Sequence, residues 1–315
     1  MSSTAKALLS DYKSGIQSHE DAAKVAMKLL LDGIDYDPPD SDKERIGTLA
    51  SALRSDFCMD EYDPAWFENT CYLSAMVADN YYQRHSYDVQ LQIARFVWLT
   101  ICMDDLGHKF PMSMEKLQFS ILSLEKAEST VLNKLRANLC DMYLFWDAIS
   151  ANCIASSTME YINGWLLELQ TLPKIKISMS AETWPHFLRR KTGAPAAYGF
   201  MIFPQNPAYE VADFIQAMED IMVYISLAND VLSFYKEVME NDTINYIHNR
   251  ALVSGQSIND TLIDVSRDTV AAYSRACKVL QSQSPPVYEL WKTFAHGYIA
   301  WHINAPRYRL RELAI

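Results

Sequence analysis

Long apolar stretches follow one another along this chain with little punctuation between them, and that scarcity of turn signals most restricts its fold. Glycine, which supplies positive φ in tight turns, occurs only 9 times in 315 residues. An architecture of many short strands needs a turn about every 8–12 residues, so strands are disfavoured. Half of the residues are apolar or aromatic, enough for a sizeable core. No repeat of fixed period and no Ser/Gly-rich linker interrupts the chain. The sequence therefore predicts an all-α helical bundle with residues 1–315 forming a single domain.

Periodicity and breakers give about ten helices and no strand. Thr4 to Leu31 carries helical spacing, and residues 32–42 form a loop because Pro38-Pro39 cannot sit inside a helix. Helices are then expected over Lys43–Asp56, from Pro64 to about Arg84, and over Asp88–Met103, the last stopping at Asp104-Asp105. After a turn through Gly107 to Pro111, two long helices fill Ser113 to Leu172. A short helix covers Ala181–Thr192, ended by Gly193 and Pro195. Pro207 opens a long helix to about Met239. Two more cover roughly Ser257–Gln283 and Pro285–Ile303.

The net charge of −11 argues against a nucleic-acid partner, which would call for a basic stripe. Six cysteines without a CxxC pair read as small buried hydrophobes in a reducing compartment. The N-terminal residues lack the apolar core of a secretory signal, and no run of about 18 uncharged apolar residues offers a membrane span. A soluble, cytoplasmic protein is expected.

Two motifs carry chemistry. The first is Met103-Asp104-Asp105-Leu106-Gly107-His108. Adjacent carboxylates at the C-terminal end of an apolar helix oppose the helix dipole, and a cation at that position relieves them. Magnesium suits the role, since it takes one or two carboxylates and completes its shell with water and phosphate oxygens. The alternative is an acidic pair that simply ends its helix in solvent. The second motif is Asn229-Asp230-Val231-Leu232-Ser233-Phe234-Tyr235-Lys236-Glu237. Asn229, Ser233 and Glu237 stand at i, i+4 and i+8, one helix face drifting about 40° per step. That face offers an amide oxygen, a hydroxyl and a carboxylate, all hard-oxygen ligands. The alternative is an ordinary polar face near a helix end.

NDVLSFYKE resembles the second metal motif of class I terpene cyclases, (N/D)D(L/I/V)x(S/T)xxxE, and the acidic pair stands upstream as in that family. Phe187-Leu188-Arg189-Arg190-Lys191-Thr192-Gly193 resembles the diphosphate-sensing arginine segment. His296-Gly297-Tyr298-Ile299-Ala300-Trp301-His302, leading to Pro306-Arg307-Tyr308-Arg309, resembles the segment whose Arg-Tyr pair closes on the diphosphate. Among cyclases the sequence is most similar to the fungal trichodiene synthase family, over about Leu91 to Leu313. It differs where His108 and Lys109 replace further acids, and where Ala305 and Pro306 precede the Arg-Tyr pair.

The resemblance implies a class I terpenoid synthase bundle around a central apolar cavity. It implies three Mg²⁺ ions, held by Asn229, Ser233 and Glu237 and by Asp104 with Asp105. Arg189 or Arg190, Lys236, Arg307 and Tyr308 would bind the diphosphate and assist its departure. From their own positions, Phe96, Trp98, Tyr298 and Trp301 could line the substrate cavity, although aromatics at helical spacing more often pack as core; Trp301, two turns before the Arg-Tyr pair, favours the cavity. The substrate would be an isoprenoid diphosphate, C15 farnesyl diphosphate being favoured, and a homodimer is left open. Two other readings stand beside this one: a helical isoprenoid-binding protein without turnover, and a chain-elongating prenyltransferase, which would carry two aspartate-rich motifs. Asp35-Tyr36-Asp37-Pro38 resembles the DxDD acid of class II cyclases only partly, and Pro38 makes it a solvated turn. His85, His108, His248, His296 and His302 lack metal-ligand spacing and read as structural.

Overall fold

The computed structural model describes residues 18–57, 62–123 and 129–313. These form thirteen α-helices joined by short 3₁₀ turns, with no strand among the described residues. In chain order they are α1 (His19–Gly33), α2 (Lys43–Asp56), α3 (Pro64–Tyr81), α4 (Tyr87–Leu106), α5 (Pro111–Ser123), α6 (Thr130–Asp141) and α7 (Ala148–Gln170). There follow α8 (Trp184–Thr192), α9 (Pro195–Phe200), α10 (Met218–Met239), α11 (Tyr246–Ser254), α12 (Ile258–Gln283) and α13 (Pro285–Asn304).

Capping side chains set several starts. Ser18, Asp42, Asp63, Ser86 and Ser257 each accept a hydrogen bond from an N–H in the first turn of the helix they precede. Asp147 does the same for α7, accepting from Ile149 and Ser150 N–H, and it splits the expected pair of long helices over 113–172 into three. Pro195 opens α9 rather than closing α8, as suits a residue whose missing N–H costs nothing in a first turn. The helix expected from Pro207 begins only at Met218. Residues before it are spent on an Asn206–Tyr209 bridge and two 3₁₀ turns, the first boxed by Glu210 and Asp213. Helix α11 was not expected; it is short, capped by Asn245 and closed by Gly255 at φ 66°. The N-terminal part of the first expected helix, residues 4–17, lies outside the described residues.

Helix α10 packs against α1, α9, α12 and α13, and α3 packs against α2, α4 and α13. Two tyrosines stitch α10 to α13: Tyr224 Oη donates to Ala295 O at 2.9 Å and Tyr298 Oη to Ile225 O at 3.1 Å. Helices α3 and α13 cross in backbone contact at Gly297, where an added Cβ would lie 1.7 Å from Asn80 O. This seam fixes two walls of the cavity described next.

Candidate active site

A cavity of about 270 Å³ lies between α3, α4, α7–α10, α13 and the Pro306–Tyr308 turn. Helix α4 turns Val97, Thr100, Ile101 and Asp104 into it, at i, i+3, i+4 and i+7 on one face. Helix α10 contributes Ile225, Asn229, Ser233, Lys236 and Glu237, and α8 contributes Arg189. The lining also carries five aromatic rings: Tyr81, Tyr161, Tyr198, Tyr298 and Trp301. Arg307 and Tyr308 also border the space.

Helix α4 does not stop before the acidic pair but runs to Leu106, so Asp104 and Asp105 point in different directions. Asp104 lines the cavity, with the Tyr161 hydroxyl 3.4 Å from Oδ1. Desolvation and then repulsion from Asp105 raise its pKa, while Arg307, Tyr161 and Lys236 oppose the shift. Asp105 is turned away and accepts from Trp66 Nε1 at 2.8 Å, joining α4 to α3. The expectation of a paired metal-binding role is therefore corrected for Asp105: about 100° further round the helix, its carboxylate is taken up by the Trp66 indole and does not line the cavity.

The same geometry separates Arg189 from Arg190. The Arg189 side chain is largely but not fully buried; its Nε donates toward both Asp230 carboxylate oxygens at 2.8 and 3.0 Å, and its Nη2 donates to Ser226 O and Asn229 Oδ1. Gly193 leaves the room this arginine needs, since a Cβ there would stand 2.2 Å from Nη1. Arg190 lies outside the cavity, exposed, 3.6 Å from Glu219. Phe96 and Trp98 are corrections too. Phe96 is buried behind Tyr198, ring centroids 6.1 Å apart, and Trp98 stacks on Phe57 at 3.8 Å within the core. They flank the α4 stripe rather than belong to it.

The i, i+4, i+8 donors do converge. Asn229 Oδ1 faces Arg189, and its Nδ2 lies 3.2 Å from His302 Nε2. The Ser233 hydroxyl is buried and lacks a hydrogen-bond partner of good geometry. Burial, with Asp230 and Asp242 nearby, pushes the Glu237 carboxyl up to about 7, against the lowering effect of Ser233 and Arg189. A buried hydroxyl with only the neighbouring Glu237 carboxyl to interact with, in line with an amide oxygen, fits a hard cation that takes few protein ligands. Among the described residues no group of three His, Cys, Asp or Glu side chains converges as a metal site, so a cation here depends on neutral oxygen donors as well. Lys236 lines the cavity and pairs with Glu240 at 3.4 Å. Arg307 sits over the Tyr308 ring at 5.8 Å.

Several residues were not anticipated. His302 is fully buried and lines the cavity; burial lowers its pKa to about 3, so the ring is neutral. Its position one residue after Trp301 was visible, but only the fold turns it toward Asn229. Glu168, Asp242 and Asn245 form, with Asp104 and Glu237, a neighbouring polar opening. Ala194, beside Gly193, holds a left-handed backbone at φ 45° and borders the cavity.

The all-helical bundle around this cavity is the fold of class I terpene synthases. Hedycaryol synthase in complex with nerolidol superposes with a TM-score of 0.60 at 12% identity, covering 85% of this chain and 98% of that one. The linalool/nerolidol synthase of Streptomyces clavuligerus, in complex with 2-fluorogeranyl diphosphate, gives 0.61 at 11% identity over 85% and 97%. Within that fold the sequence narrows the choice: the trichodiene synthase profile matches residues 61–314, and the chain belongs to that family of terpene synthases. It is 33% identical to terpene synthase BipA of Cochliobolus sativus over 79% of this chain and 76% of that protein. It is 31% identical to monoterpene synthase 25 of Postia placenta over 72% and 68%. It is 28% identical to the (E)-beta farnesene synthase of Metarhizium brunneum over 77% and 74%. No described helix is long and apolar enough to cross a membrane.

Proposed function

We propose that this terpene synthase is a magnesium-dependent sesquiterpene cyclase, which ionises farnesyl diphosphate, folds the cation into rings and releases diphosphate. The observation that carries this reading is that one cavity brings together two kinds of lining: the hard-oxygen and cationic groups of Asp104, Arg189, Asn229, Ser233, Lys236, Glu237 and Arg307, and five aromatic rings. Asn229, Ser233 and Glu237 would hold one Mg²⁺ and Asp104 would serve the others, three in all. Bound magnesium supplies the charge neutralisation that turns diphosphate into a leaving group.

The chain's own groups do the rest. Arg189 and Arg307 offer forked N–H donors that match diphosphate oxygens, and Lys236 adds a point charge. The Tyr308 hydroxyl, beside Arg307, donates to the same anion as negative charge develops on it. The departing group leaves an allylic cation facing Tyr81, Tyr161, Tyr198, Tyr298 and Trp301. Each ring face in contact contributes up to about 2 kcal/mol of cation–π attraction once water is excluded. The cyclised cation becomes neutral product by losing a proton, or by capturing one water and then losing a proton, so no side-chain nucleophile is required.

Incubation with C10, C15 and C20 isoprenoid diphosphates and Mg²⁺, with volatile products read by gas chromatography–mass spectrometry, tests the proposal. Cyclic C15 products, with the highest kcat/KM for farnesyl diphosphate and complete loss in EDTA, are expected. A longer linear diphosphate, a preference for C10 or C20, or turnover that survives EDTA overturns it.

A further inference from the structure

His302 occupies a place that packing alone does not explain. Its ring lies among Tyr298, Trp301 and Tyr308, with centroids at 4.6, 4.9 and 4.5 Å. A phenyl ring would fill such a site without burying two nitrogens. Both nitrogens are engaged. Nδ1 is 2.8 Å from Tyr298 O, and a carbonyl can only accept, so Nδ1 carries the hydrogen. Arg189 Nη2 can only donate, so the Asn229 atom 2.9 Å from it is Oδ1; the atom 3.2 Å from His302 Nε2 is then the NH₂ group, and Nε2 accepts from it.

We infer that His302 is a positioning residue: it holds the Asn229 carboxamide so that Oδ1, not the amide hydrogens, is presented to the cation. The inference rests on the reading of Asn229 as a metal ligand. Two contacts distinguish the two orientations of the amide in this structure, Arg189 on Oδ1 and His302 on Nδ2. The Arg189 contact is the expendable one, because a bound diphosphate competes for the same guanidinium. When Arg189 turns to the anion, His302 alone keeps the amide from rotating. A rotated amide aims two N–H dipoles at a positive ion. Partners that orient a ligand in this way commonly affect metal affinity by about 10–100-fold. The arrangement also ties the metal motif on α10 to α13, the helix that leads into the Arg307 turn, since His302 on α13 bonds to Asn229 as well as to the backbone of its own helix.

The test compares His302→Phe, His302→Asn and His302→Gln with the parent enzyme. Gln reaches as far as Nε2 and restores an acceptor for Asn229 Nδ2; Asn reaches only the Nδ1 position; Phe restores neither. Mg²⁺ is titrated at fixed inorganic diphosphate while thermal stabilisation is followed, and kcat and KM are measured at low and saturating Mg²⁺. The half-saturating Mg²⁺ concentration should rise about 10–100-fold for Phe and Asn and return most of the way for Gln. At saturating Mg²⁺ the KM for substrate should stay near the parent value. Equal Mg²⁺ requirements for the Asn and Gln variants overturn the positioning role, and that comparison stands even if the Phe variant does not fold. A parent enzyme that Mg²⁺ and diphosphate fail to stabilise overturns the metal site itself, and this inference with it.

Discussion

At the scale of single residues the site is a contest between desolvation and the need for charge. Glu237 is the sharpest case. With its pKa pushed up to about 7, the free protein holds much of this carboxyl protonated near neutrality, and a cation must displace the proton to bind. Mg²⁺ demand should therefore increase as pH falls below 7, by at most about tenfold per pH unit for one proton. Glu237→Gln should remove most turnover and abolish that slope. A Mg²⁺ requirement that stays flat between pH 7.5 and 5.5 in the parent would refute the assignment. The sign for stability is the reverse. A carboxyl whose folded pKa is raised stabilises the fold below its unfolded value and loses that contribution as pH climbs through the folded one. Without metal, Glu237→Gln should raise the melting temperature at pH 8 while leaving it little changed near pH 4.5; buried Asp230, raised to about 6, adds a similar slope to both proteins. Residue identity was what the sequence disclosed well. Asn229, Ser233, Glu237, Asp104 and Arg307 could be picked out because hard-oxygen donors and cations leave a chemical trace in the letters themselves. Which neighbour faces the cavity was not legible: Asp104 over Asp105 and Arg189 over Arg190 are decided by helix phase, and a phase error of one residue is a rotation of about 100°.

At the scale of elements, helix ends decide function. The turn that follows α13 is the clearest. Ala305 is extended at ψ 117°, and Pro306–Tyr308 form a 3₁₀ turn anchored by Tyr308, which is buried against Trp301 at 5.4 Å and His302 at 4.5 Å. Arg307 is thus carried on a stiff turn at the border of the cavity, partly exposed and aimed at nothing that the fold requires. Arg307→Lys should leave the melting temperature of the ligand-free protein nearly unchanged. It should lose most of the stabilisation given by Mg²⁺ plus diphosphate, because Lys cannot make the bidentate contact. Turnover should fall and acyclic alcohols should rise as water reaches the cation. Calorimetry with and without ligands, beside a product profile, checks both arms; a variant matching the parent in each would place Arg307 outside the mechanism. Elements with strong local signals were readable: α2 begins at Lys43 and ends at Asp56 as its periodicity predicts, and α12 and α13 agree within a residue. The misreadings fell where a cap outweighed periodicity, as at Asp147, or where irregular chain took over, as between Pro207 and Met218. Tertiary packing, not local propensity, makes α11 helical at its short length.

At the scale of the whole molecule, the bundle distributes its clearance unevenly. Gly47 lies inside α2, where an added Cβ would meet nothing within 4 Å, whereas at Gly297 it would meet Asn80 O at 1.7 Å. Gly47→Ala should stabilise the protein by about 0.5–1 kcal/mol through helix propensity. Gly297→Ala should destabilise it by about 1–3 kcal/mol or more, since two helices must separate. Chemical denaturation separates the two; equal effects would mean that α3 and α13 do not meet backbone to backbone. The seam has a second consequence. Tyr81 and Tyr298 flank it, one on each helix, with ring centroids 4.8 Å apart. Their spacing is inherited from main chain pressed on main chain, so it carries the tolerance of covalent geometry instead of the wider scatter of a side-chain interface. In the proposed reaction a cation lying against those rings meets a fixed gauge, and the fidelity of the carbon skeleton becomes, at that point, a dimension of the polypeptide itself.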